Sequence, residues 1–101
     1  MKTFYFQFKC LPQRGHENFV QYSGAHATVF ITGEDPILEK ERAWKYVESY
    51  GSQIQETDDA RLIHKEACDY DPSVASQFAN AQLYGISCLF VSYTGGGLQF
   101  N

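Results

Sequence analysis

The chain has 101 residues, a length suited to one domain with its own core. At 44% hydrophobic and 16% aromatic residues it lies outside the composition range of disordered segments. A formal charge of −4 sets its field against a phosphate backbone, and no apolar run approaches membrane-spanning length, so nucleic acid and membrane are set aside as partners.

The first predicted element is a strand over residues 3–9. Phe4, Phe6 and Phe8 alternate with Tyr5, Gln7 and Lys9, which places three rings on one face of a half-buried strand. Residues 11–24 read as a polar connection around Pro12, Gly15 and Gly24, with a short strand at 18–22. Residues 26–32, rich in β-branched and aromatic side chains, predict a second long strand.

Asp35-Pro36 then opens a helix that Tyr50-Gly51 closes. Asp caps the free N–H groups of a first turn, Pro fits the first helical position, and Gly supplies the left-handed residue after the last turn. Ile37, Ala43, Trp44, Val47 and Tyr50 fall near one stripe of this helix. Glu39, Lys40, Glu41, Arg42, Lys45 and Glu48 cover the remainder, an ordinary solvated face with Glu41 and Lys45 correctly spaced to pair.

Residues 52–57, polar apart from Ile54, predict an edge or near-edge strand. Asp58-Asp59-Ala60 reads as a turn and 61–65 as the returning strand of a hairpin, with a helix beginning in 60–68 as the alternative. Asp71-Pro72 and Tyr84-Gly85 bracket a second helix that carries Val74, Phe78 and Ala81 along one side. It has no charged residue, so the expectation is a helix largely covered by its surroundings. Residues 86–93 form a last strand, apolar on both faces.

Without the first strand this order is strand, helix, strand, strand, helix, strand, the ferredoxin-like split arrangement. The expected fold is therefore α+β: a two-layer ferredoxin-like sandwich in β-α-β-β-α-β order with an additional N-terminal β-strand. Residues 1–101 make a single α+β domain, and 94–101 make a flexible C-terminal tail jointed at Gly95, Gly96 and Gly97. Right-handed crossovers place both helices on one face of such a sheet. The other face is then open, and the doubly apolar last strand requires a cover: a second copy, a partner protein, or Leu98 and Phe100 folded back.

Chemistry-bearing motifs are sparse. His64 and Cys68 share one face if helical, but no third ligand is arranged among His16, His26, Cys10 or Asp69, and no metal or cofactor is assigned. Glu66 and Asp69 push the Cys68 thiol pKa upward, the wrong direction for a thiolate nucleophile. The carboxylates around Asp58 lack the alternating ligand pattern of a calcium loop. Gly95 to Gly97 open no helix and carry no Lys, so they are not a phosphate loop. Trp44, Tyr46, Tyr50 and Tyr84 are read as core aromatics, with a pocket lining as the alternative. Three scattered cysteines and an alternating N-terminus fit a reduced, cytoplasmic setting.

The function expected is a small cytoplasmic non-catalytic interaction or regulatory module, possible versions being an inhibitor or immunity-type protein. Its contacts are assigned to an acidic segment, Asp58, Asp59, Glu66 and Asp69, and to a sheet face, Leu89, Val91 and Tyr93. The partner is another protein or a second copy of the chain. The alternatives are a dimeric small-ligand-binding domain and, behind it, a cofactor-independent ferredoxin-like enzyme with His26 or His64 in its pocket.

Overall fold

The computed structural model describes residues 1–12 and 24–93; the strand expected at 18–22 and the tail from 94 onward lie outside the described residues. Along the described chain run β1 (Lys2–Pro12), β2 (Gly24–Gly33), α1 (Pro36–Glu48), β3 (Ser52–Ile63), α2 (Lys65–Cys68), α3 (Pro72–Tyr84) and β4 (Ile86–Tyr93). They make a small α+β domain whose one four-stranded sheet has the order β3-β1-β2-β4, antiparallel at every junction.

The alternation in β1 organises the core. Phe4, Phe6, Phe8 and Cys10 stand opposite Ile31, Val29, Ala27 and Ala25 of β2, and this face packs on Ala43, Trp44 and Val47 of α1. Burying a ring as completely as Phe8 contributes roughly 2–3 kcal/mol. Phe8 also meets the edge of Trp44 at 5.7 Å. The opposite face of the same strands holds Tyr5 and Phe30, which pack on Cys68 of α2 and on Val74, Phe78 and Ala81 of α3.

The helices therefore lie on opposite faces of the sheet, which corrects the two-layer expectation. β2 and β3 run in the same direction on either side of β1, so α1 makes a crossover between parallel strands, to which the handedness rule applies. β3 and β4 run in opposite directions at the two sheet edges, so that rule leaves α3 free to cross the other face.

The expected hairpin is also absent: residues 52–63 form one strand, and the β-α-β-β-α-β order with it becomes ββα-β-αα-β. β1 is long enough to pair with all of β3, and two bulges, at Gln55 and Asp58, absorb the irregular residues. Because two bulges reverse the alternation twice, Ile54 and Leu62 return to the same face. Asp58 and Asp59 do not turn the chain, because β1 pairs along this segment; their side chains lie beside His26 at 3.3 Å and Arg61 at 3.1 Å. The edge position expected of this strand is found, and a four-residue helix, α2, follows it.

The helix boundaries follow their caps. The Asp35 carboxylate accepts from the N–H groups of Ile37 and Leu38, that of Asp71 from Ser73, and Gly85 closes α3 in the left-handed region at φ 87°. Two assignments on the helix surfaces change. Glu39, expected in solvent, is buried and paired with Arg42, while Ile37, expected in the stripe, is exposed. α3 buries only one side, leaving Leu83 and Tyr84 exposed despite its lack of charge.

Candidate functional site

The face opposite α1 is covered unevenly. α2 and α3 lie over the end bearing Thr3, Tyr5, Phe30 and Thr32, where Gln82 of α3 donates to Thr3 and Ser87 of β4 donates to Gln77. Between these helices and the sheet runs a groove of about 330 Å³. Tyr5 and Phe30 meet edge to face at 5.3 Å on its floor, and Arg61, His64, Tyr70 and Gln77 line its sides. The Arg61 guanidinium stands 5.0 Å over the Tyr5 ring and is held there by Asp59, an arrangement that keeps a cation on an aromatic face.

Thr28 of β2 and Leu89 of β4 also line the groove, and past it the sheet continues with Gln7 and Lys9 of β1, His26 of β2 and Val91 of β4, all on this face. Leu89 is 38% exposed and Val91 57% exposed. Two cross-strand pairs border the area, His26 with Asp58 and Lys9 with Glu56, the latter at 3.9 Å. Both pairs are substantially solvated, so they orient side chains more than they stabilise the fold.

The residues expected in the site divide accordingly. Leu89 and Val91 share the area that no helix among the described residues covers, and Tyr93 follows on the same strand, its side chain outside the described residues. Asp58 and Asp59 lie at the β3 margin of this face. Glu66 and Asp69 sit on or beside α2 and border other recesses, Asp69 paired with Lys65 at 3.7 Å. Asp58 and Asp59 thus belong to β3, and Glu66 and Asp69 to α2 and its C-terminal end.

His64 and Cys68 do not form a reactive pair. The His64 side chain is exposed, whereas the Cys68 thiol is buried and donates to the His64 carbonyl oxygen at 3.6 Å. Burial, reinforced by Asp69, pushes the Cys68 thiol pKa up. Among the described residues no three His, Cys, Asp or Glu side chains gather as a metal site would require. No helix among them is long and apolar enough to cross a membrane.

Comparison with protein-family models, with curated proteins and with solved structures finds no match to this chain.

Among the described residues Trp44, Tyr46 and Tyr50 resolve into two packings, and Tyr84 is exposed. Trp44 seals the α1 core, and Tyr46, Tyr50 and Phe90 form an edge-to-face ladder where α1 ends beside β4. The stacking of Arg61 on Tyr5 was not foreseen from the sequence. Its one available signal is that Tyr5 is an aromatic residue on the otherwise polar face of β1, beside Thr3, Gln7 and Lys9.

Proposed function

We propose that this chain is a non-catalytic interaction module whose contact surface is the part of the sheet opposite α1 that no helix among the described residues covers. The surface runs from Thr28 across Leu89 and Val91, with Asp58 and Asp59 at its margin. The observation that carries this reading is the exposure of Leu89 and Val91 in a strand whose backbone is pinned to β2 without a register break. Apolar side chains held rigidly at the surface offer contact area at little ordering cost. Three free thiols support a reducing, cytoplasmic setting for this role.

Site-specific photo-cross-linking in cells tests the proposal. A photoreactive residue at Val91 should trap a defined protein, and one at Lys45 on the solvated side of α1 should not. Equal or absent trapping at the two positions would remove the reading.

The groove beside this surface favours one second reading, a small-ligand site. An aromatic floor with Arg61 above it suits a planar ring carrying an anionic group. Small aromatic carboxylates should then raise the melting temperature in a saturable way that Arg61→Ala abolishes. A flat response across such compounds would leave only the protein-interaction reading.

A further inference from the structure

Every charged residue and every histidine of this chain lies before position 72, although the net charge is −4; residues 72–101 contain none. In the structure the described residues of this neutral part, 72–93, are not interior. They supply α3 and β4, which together form one flank of the molecule, and β4 is the sheet's outer strand there.

The two sheet edges differ. β3 carries Glu56, Asp58, Asp59 and Arg61 and is interrupted by two bulges, the features that deter another strand from pairing. β4 has none of these protections. It runs for 8 residues in unbroken register with β2, without charge, Pro or Gly.

The hydrogen-bond phase of β4 follows from its first pairing. The Thr32 N–H donates to the Gly85 carbonyl at 3.0 Å, so those two opposed residues form a hydrogen-bonded pair. Alternation then turns the backbone groups of Ser87, Leu89, Val91 and Tyr93 toward β2, and those of Ile86, Cys88, Phe90 and Ser92 toward the open edge.

We infer that β4 pairs antiparallel with β4 of a second copy, about a twofold axis at Leu89, to make one continuous sheet. This inference rests on the interaction reading above and names the partner. In that register Cys88 opposes Phe90 and Ile86 opposes Ser92, in both directions, so all four outward residues exchange backbone bonds, about eight in total. Leu89 meets its own counterpart on the axis, and Val91 meets Ser87 on the same face. No like charges oppose each other anywhere along the strand. Two copies that repel over their acidic surfaces approach with least opposition at this neutral flank. The same neutrality offers nothing for a foreign partner selected by charge. Around the axis the exposed Leu89, Phe90 and Val91 become buried, with Tyr50 already leaning on Phe90 at 5.7 Å.

The test uses the full chain, by sedimentation equilibrium and by amide hydrogen exchange across roughly 1–100 μM. The expected result is a dimer, with the amides of Ile86, Cys88, Phe90 and Ser92 exchanging more slowly as concentration rises. Leu89→Lys places two cations on the axis and should weaken dimerisation by at least about tenfold, with the monomer's circular dichroism unchanged. Should Leu89→Lys fail to fold, Ser92→Pro decides, since it removes an outward N–H and no bond to β2. A monomer at every concentration, a dimer indifferent to both variants, or edge amides protected independently of concentration would each overturn the inference. Any of these can occur while Val91 still cross-links to a different protein, so self-pairing and the interaction reading fail separately.

Discussion

The carboxylate of Glu39 fills the space that a side chain at Gly33 would need. Glu39 is 4% exposed, reaches back over the end of β2, and is held there by Arg42 one turn later. Gly33→Ala must therefore displace a buried charged group, and we expect it to lower unfolding free energy by about 1–3 kcal/mol. Urea denaturation should show a reduced midpoint at an unchanged slope. In a Glu39→Ala background the same substitution should cost far less, because the obstructing group is gone, and a double-mutant cycle measures that coupling.

Phe8 and Trp44 make the contact that docks α1 on the sheet. Phe8→Ala opens a cavity at a fully buried site and should destabilise the fold by about 3–5 kcal/mol. Trp44 is the chain's single tryptophan, so its fluorescence reports this junction without interference. A red-shifted native spectrum is expected in the variant if the fold survives.

The two aspartate caps act at separate helices. Asp35→Ala leaves the N–H groups of Ile37 and Leu38 without their side-chain acceptor, and Asp71→Ala does the same to Ser73. Each should cost about 0.5–2 kcal/mol. The sites share no partner, so the losses should add to within about 0.5 kcal/mol in thermal or urea melts of the double variant.

Burial pushes the Cys10 thiol from 9.0 up to about 11 and the Cys88 thiol up to about 12. Both groups thus hold their protons more tightly folded than unfolded. Their contribution to stability is complete below pH 9 and is lost as pH rises from there through the folded values, because the unfolded chain then binds fewer protons. Unfolding free energy should fall between pH 9 and pH 11, and Cys10→Ala with Cys88→Ala should flatten that fall. At neutral pH neither thiol should react with a maleimide until the protein is denatured.

Asp58 and Asp59 contribute little to the fold, since their pairs with His26 and Arg61 are well solvated. Replacing both with Asn should change stability by about 1 kcal/mol or less. A foreign partner with a basic surface would cross-link less at Val91 in the same variant, whereas pairing of two copies through β4, at the other sheet edge, would not weaken; unaltered melting separates either result from misfolding.

How much was legible beforehand is clearest from individual elements. The alternating Phe4, Phe6 and Phe8 announced β1, and the Asp-Pro and Gly signals placed both long helices, because period and capping depend only on residues a few positions apart. Leu89 and Val91 are exposed on the face of β4 opposite α1. Asp58-Asp59-Ala60 carried the composition of a turn and yet runs straight through β3. What holds it extended is its pairing with β1, some fifty residues away. Glu39 looked like any helix-surface acid until Gly33 was seen to leave a hollow for it. The amino-acid order was sufficient for elements whose signals are local: strand period, helix caps and the neutrality of the last thirty residues. Strand partners, helix sides and the outer position of β4 in the described sheet depend on contacts between segments far apart in the chain, where hydrogen bonding and burial are satisfied jointly, and those emerged only in three dimensions.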